Sequence, residues 1–186
     1  MSQYWTTLDD LYTEKLLEPG AEIEQVARSF QIKISPTMQQ QIASASEEDR
    51  DALLRQFIPS VAESHILPEE LDDPIGDRRF TPVAGVVHRY RDRALLKITQ
   101  LCEVYCSFCF RKEMIGQYGE SLSKDELNDA FHYIATHPEL WEIILTGGDP
   151  LILSVNRLTD ILHRLADIEH IQNIRIHTRI PVVSPE

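Results

Sequence analysis

Cysteine is scarce in this chain of 186 residues and confined to one place: Cys102, Cys106 and Cys109 are the only three, and they fall within eight positions. An odd number rules out a closed set of disulfides. In a reducing compartment, clustered thiols more often bind metal or do chemistry. Positive charge is also short, with 18 Lys and Arg against 30 Asp and Glu and a formal charge of −12. That balance argues against a non-specific nucleic-acid binder, whose footprint is a basic patch. Long hydrophobic runs are missing: nothing approaches the ~20 apolar residues that span a bilayer. The opening "MSQYWTTLDD" carries acids and no apolar segment, so it does not read as a signal peptide. These absences place the protein in the cytoplasm, away from membranes. Internal repeats and low-complexity segments are lacking too. What remains, 42% hydrophobic and 26% charged residues, describes a globular chain of one domain, or one with a small appendage.

The chain divides near residue 94. Before it the periodicity is helical. Leu8, Leu11, Tyr12 and Leu16 share one helical face, as do Ile23, Val26, Ala27 and Phe30. Ser35-Pro36 reads as an N-cap followed by proline at the first helical position, leading into Met38, Ile42 and Ala45. A short helix over 47–57 stops before Pro59. Residues 66–85, rich in proline, glycine and acids, read as an ordered connector. "VVHRY" and "RALLKIT" flank Arg91-Asp92 as a hairpin or two successive strands. From 94 onward strand and helix alternate: "ALLKIT", a helix opened by a Ser123–Glu126 capping box, "WEIILT", a helix carrying Leu158, Ile161, Leu162 and Leu165, then "NIRIHT". Alternation of this kind implies a parallel α/β sheet or (β/α) barrel. The predicted organisation is an N-terminal helical region (1–65), a connector and hairpin (66–93), and an α/β core (94–186).

In such folds reactive groups gather beyond the carboxyl ends of the strands. The cysteine loop follows the first core strand and "GGDP" follows the second, which predicts that both lie on one rim. Thiolates suit zinc, copper(I) and iron–sulfur clusters. Structural zinc takes four ligands; CxxxCxxC supplies three, and a histidine such as His88 would have to complete the set. Ordinary iron–sulfur carriers use four cysteines. Three would leave one iron of a cubane open to a substrate. Gly147 and Gly148 would let backbone approach a ligand closely, or simply make a turn, and Asp149 would join them or serve only as a cap.

CxxxCxxC after the first strand resembles the radical S-adenosylmethionine superfamily. That resemblance implies a 4Fe-4S cluster on Cys102, Cys106 and Cys109, with S-adenosyl-L-methionine on its open iron. It implies a place for Phe108 near the adenine, and for Gly147, Gly148 and Asp149 at the methionyl amino group. More narrowly, residues 72–185, with "HRYRDR", the cysteine loop, "GGDPL" and "TRIPVV" in order, are similar to the lysine 2,3-aminomutase family. That family includes the branch that isomerises lysine for elongation factor P. "CFR", Ala135–Leu140 and "RIHTR" lean to that branch, "FRKEMIGQ" to the enzymes acting on free lysine. The resemblance implies an isomerase that moves an amino group of L-lysine between adjacent carbons, carried as an aldimine on pyridoxal 5′-phosphate. The fold implied is the first half of a partial (β/α) TIM barrel with parallel strands behind N-terminal helices. Arg89, Tyr90 and Arg93 match the family's phosphate-binding positions, and Arg111 the partner of the substrate carboxylate. Each of the arginines also reads as an ordinary surface charge. Arg179, past the third core strand, is placed where it could face the cofactor. The partners implied are L-lysine and a flavodoxin or ferredoxin as reductant, with room for a homo-oligomer.

The lysines departs from that pattern. A pyridoxal enzyme needs a lysine for its internal aldimine. Lys15, Lys33, Lys97, Lys112 and Lys124 are the only ones present, and none matches the family's position, which lies further on. The chain therefore reads as truncated, expected to cleave S-adenosylmethionine at most. A different radical enzyme, or a non-catalytic iron–sulfur-binding remnant, shares the same front end.

Overall fold

A computed structural model describes residues 3–71, 73–111, 114–115 and 120–185. The chain is mixed α/β, with N-terminal helices and a four-stranded, mostly parallel open sheet, and it forms two compact units.

The first unit comprises Met1–Glu70, Glu103–Gly116 and Pro181–Glu186. Its helices are α1 (Leu8–Thr13), α2 (Ala21–Ser29), α3 (Pro36–Ser44) and α4 (Glu47–Leu54). Their starts are written in short side chains. Thr7 and Asp10 form a capping box, Ser35 accepts from the Met38 N–H with Pro36 behind it, and Ser46 accepts from Asp49. α1 ends earlier than its apolar spacing predicts, because Lys15 takes a left-handed φ of 54°. α4 likewise stops at Leu54. Gln56 and Phe57 then donate to the carbonyls of Leu53 and Leu54, a tightening into three-residue turns common at helix ends. Leu11, Ile32, Ile34, Met38, Ile42, Phe57, Val104 and Val183 form the buried core.

The second unit, Leu71–Cys102 with Gln117–Ile180, holds the sheet. β1 (Val86–Tyr90) and β2 (Arg93–Thr99) are antiparallel, since a two-residue turn at Arg91-Asp92 can join strands in no other way. β3 (Glu142–Gly147) and β4 (Asn173–Ile176) then add in parallel, in the order β1-β2-β3-β4. α5 (Lys124–Ala135) and α6 (Val155–Ala166) make the crossovers. α5 opens with the Ser123–Glu126 capping box.

The two faces of the sheet differ in chemistry. Ala94, Leu96 and Ile98 of β2 and Ile143 and Leu145 of β3 share one buried cluster with Leu127, Ala130, Phe131 and Ile134 of α5 and Ile161 and Leu165 of α6. Each larger side chain buried there contributes roughly 1.5–3 kcal/mol, enough to commit this face to the helices. Successive strand residues point to opposite faces. The register Arg93–Glu142–Asn173 therefore puts these three, together with Lys97, Thr99, Thr146 and Arg175, on the other face. That face is polar. Among the described residues no helix is long and apolar enough to cross a membrane.

Candidate active site

The carboxyl ends of the parallel strands meet through backbone. The Gly148 N–H donates to the Thr99 carbonyl at 2.6 Å, and the Asp149 N–H to the Leu101 carbonyl at 2.8 Å. The two glycines are required by that approach. Gly147 has φ +112°, and a Cβ on it would lie 2.4 Å from the Thr99 oxygen. A Cβ on Gly148 would lie 2.0 Å from the Leu101 oxygen, inside any tolerable contact. "GGD" is thus the segment that lets the end of β3 press against the residues leading into Cys102.

Asp149 is buried, 6% exposed, and its carboxylate accepts three hydrogen bonds. The donors are the Leu151 N–H at 3.1 Å, the Thr178 hydroxyl at 2.6 Å and the Arg179 N–H at 2.7 Å. It caps the short 3-10 turn Pro150–Ile152 and ties the end of β3 to the residues after β4.

Cys102 ends the sheet unit on this rim, directly after Leu101, while Cys106 and Cys109 belong to the helical unit. All three are half-buried and none is in a disulfide. Within the helical unit the loop that carries the latter two is anchored by its backbone. The Tyr105 N–H donates to Lys33 at 3.0 Å, the Ser107 N–H to Gln56 at 2.9 Å, and the Ser107 hydroxyl to Arg55 at 2.6 Å. Val104 is buried in that unit's core and Cys106 packs against it. The Tyr4 hydroxyl donates to Glu103, and burial together with that carboxylate pushes the phenol up to about 12. Phe108 and Phe110 are both exposed, and the Arg111 guanidinium lies 4.4 Å from the Phe110 ring centre. Lys112, Glu113, Gly116 and Gln117 of "FRKEMIGQ" lie outside the described residues.

Among the described residues no three His, Cys, Asp or Glu side chains converge as a ligand set for a metal ion. A zinc site draws four donors to about 2.0–2.3 Å of one centre, whereas a cluster takes each thiolate on a different iron. His88, a candidate fourth zinc ligand, has its Nδ1 2.8 Å from the Tyr133 hydroxyl and its ring edge-on to His137. Burial raises the Tyr133 pKa, with Glu139 adding to it. Three soft thiols in one short loop suit an iron–sulfur cluster in donor type.

Arg89, Tyr90 and Arg93 lie around the β1–β2 turn. Tyr90 pairs with Arg93, and Arg93 with Glu142 at the start of β3, so these two sit at the opposite end of the parallel strands from Gly147–Asp149. Tyr90 is exposed. Arg89 donates to the Ile75 carbonyl and stands 3.5 Å from Asp77. Arg93 holds Asp92 with two hydrogen bonds, at 3.1 and 3.0 Å, and faces Glu142 at 3.4 Å. The bond from Arg93, reinforced by the Trp141 indole, keeps the Asp92 carboxyl far below the ordinary range. The same bond raises the Arg93 guanidinium.

Sequence reasoning missed the carboxylates that organise the polar face. Glu142 is fully buried and joins three strands: it faces Arg93 of β2 and accepts from Asn173 and, at 2.6 Å, from Arg175 of β4. Asp77 lies between Arg89 and Lys97, the latter at 3.8 Å. The available signal was a charge set in an otherwise apolar strand, Glu142 in "EIILT" and Lys97 in "ALLKIT".

Residues 96–186 match the sequence profile of the Radical SAM superfamily, and this segment of the chain belongs to it. More particularly, the chain is similar to proteins named L-lysine 2,3-aminomutase. That of Clostridium subterminale is 34% identical over 182 residues, covering 97% of this chain and 43% of the relative. That of Bacillus subtilis is 35% identical over 182 residues, covering 97% and 38%. That of Escherichia coli is 40% identical over 136 residues, covering 73% and 39%. The chain thus spans well under half the length of the curated relatives it matches.

Proposed function

We propose that Cys102, Cys106 and Cys109 hold a 4Fe-4S cluster that binds S-adenosyl-L-methionine. The whole protein would act as an isomerase of the lysine 2,3-aminomutase type on L-lysine, free or destined for elongation factor P, with pyridoxal 5′-phosphate. When bound, such a cluster supplies the single electron that opens S-adenosylmethionine to a carbon radical, and pyridoxal phosphate supplies a carrier for the migrating nitrogen.

The observation that carries the reading is the junction of Gly147–Asp149 with Thr99–Leu101, one residue before the first thiol. A methionyl ammonium is a hydrogen-bond donor and needs acceptors. The N–H groups of Gly148 and Asp149 are already engaged with carbonyls, so this segment would offer its own carbonyl oxygens. Phe108, exposed in the cysteine loop, would stack on the adenine. Arg111 would meet the substrate carboxylate, for which a guanidinium fork is suited. Arg89, Tyr90 and Arg93 bring cations and a phenol to one turn, the donor types a phosphate needs. Arg93 already pairs with Asp92 and Glu142, so a phosphate there would compete with those carboxylates for its guanidinium. A reductant such as flavodoxin or ferredoxin would deliver the electron.

The test is anaerobic incubation of the reconstituted, reduced chain with S-adenosylmethionine, pyridoxal phosphate and L-lysine. Formation of 5′-deoxyadenosine and methionine is the expected result, without β-lysine, because none of the five lysines matches the family's aldimine position. No 5′-deoxyadenosine from cluster-loaded protein would overturn the radical assignment. β-Lysine would show that one of these lysines carries the cofactor.

A further inference from the structure

We infer that Asp149 is a positioning residue: its carboxylate is a latch between the strand ends, and it makes no contact with the ligand of this rim. The functional side of this inference rests on the reading above, in which S-adenosylmethionine binds here.

The geometry of the acceptors carries the argument. A carboxylate offers about four lone-pair sites, and three donors already converge on the two oxygens of Asp149. Leu151 and Thr178 approach Oδ1 at 3.1 and 2.6 Å, and Arg179 approaches Oδ2 at 2.7 Å. The side chain is 6% exposed. Hydrogen bonds to a charged acceptor are stronger than those between neutral groups, and a buried carboxylate stripped of them pays its desolvation in full. Turning Asp149 towards a ligand would abandon all three for one.

The latch has a definite reach. On one side the Asp149 N–H holds the Leu101 carbonyl, next to Cys102. On the other, the carboxylate fixes Thr178 and the backbone of Arg179 beyond β4, and the Thr178 hydroxyl oxygen in turn accepts from the Ile180 N–H at 3.0 Å. One residue therefore sets the spacing of the chain segments that leave β2, β3 and β4. A carboxylate is needed and an amide will not serve. Asparagine could accept at one oxygen, but its NH2 would face the Arg179 N–H, donor against donor.

The experiment compares Asp149→Asn, Thr178→Val and the double variant in the 186-residue chain, with two readouts. Amide hydrogen exchange of the protein before cluster loading reads the latch directly. Peptides covering 177–181 are expected to exchange faster in all three variants, while those from 142–147 keep their protection. The second readout is the dissociation constant of S-adenosylmethionine, followed by its effect on the electron paramagnetic resonance signal of the reduced cluster in samples matched for iron content. Both single variants are expected to weaken binding by a similar factor, about 10- to 100-fold, the order of one hydrogen bond to a charged acceptor. The double variant should fall no further than the worse single one, because both remove the same latch.

A direct ligand role predicts otherwise: Asp149→Asn alone would abolish binding and Thr178→Val would leave it intact. That pattern, or unchanged exchange at 177–181 in Asp149→Asn, overturns the inference. Wild-type protein that holds the cluster but binds no S-adenosylmethionine would refute the functional reading, and the exchange data would still decide the latch.

Discussion

A methyl group is the smallest change that tests the rim, because two glycines there admit none. Gly148→Ala would bring a Cβ to 2.0 Å from the Leu101 carbonyl oxygen, a backbone atom with nowhere to go. Gly147→Ala combines a 2.4 Å approach to Thr99 with a φ of +112°. Strain of this kind costs on the order of 1–3 kcal/mol per residue. Both variants are expected to lose about that much unfolding free energy in urea titration, and Gly20→Ala, whose added Cβ meets only Ile23 at 3.9 Å, is not. Equal midpoints for Gly148→Ala and the parent would contradict the close approach. The glycines were legible in the sequence as a strand-ending pair, but their reason was not: it lies in Thr99 and Leu101, nearly fifty positions earlier. Asp149 was legible as a cap. Its bonds to Thr178 and Arg179 span 29 and 30 positions and leave no local trace.

The secondary-structure elements divide into those set by neighbours in sequence and those set by neighbours in space. The start of α5 is of the first kind. The Ser123 hydroxyl accepts from the Glu126 N–H, the Glu126 carboxylate accepts from the Ser123 N–H at 2.8 Å, and every partner is within three residues. Ser123→Ala should cost about 1 kcal/mol in chemical denaturation. The backbone N–H of Ser123, helped by its hydroxyl, lowers the Glu126 carboxyl below its ordinary value. A carboxylate depressed in the folded state contributes stability above its unfolded pKa of about 4.3, and that contribution is lost as pH falls through the folded value. The acid sensitivity of the parent should therefore lessen in Glu126→Gln. An identical pH profile would remove the capping box from the account. β3 is of the second kind. Its apolar run predicts a buried strand, yet Glu142 at its start is the node that joins β2 and β4 through Arg93, Asn173 and Arg175. Glu142→Ala leaves two arginines facing each other, and a loss of about 1–3 kcal/mol is expected, moderated because both reach solvent. Glu142→Gln should fall between the two. If Glu142→Ala unfolds at the parental denaturant concentration, the node is not structural.

At the scale of the molecule, the alternation of strand and helix after residue 94 made the α/β class readable, and the Arg91-Asp92 turn made the hairpin readable. The polar face of the sheet was not, because its charges are balanced by partners from the connector and from other strands. Asp77 meets Arg89 and Lys97 across 12 and 20 positions, and no local pattern announces such a pair. The cysteine loop was the reverse case: its spacing raised the expectation of a metal ligand set from sequence, while its path, with Cys102 in one compact unit and Cys106 and Cys109 in the other, required the fold. The central claim is that these three thiols act together on one cluster, and native mass spectrometry with Mössbauer spectroscopy of anaerobically reconstituted protein tests it most directly. The parent should carry one four-iron, four-sulfur cluster per chain, lost when any one of Cys102, Cys106 and Cys109 is changed to alanine. One tightly held zinc ion per chain instead, or a cluster that survives any of the three substitutions, would contradict it.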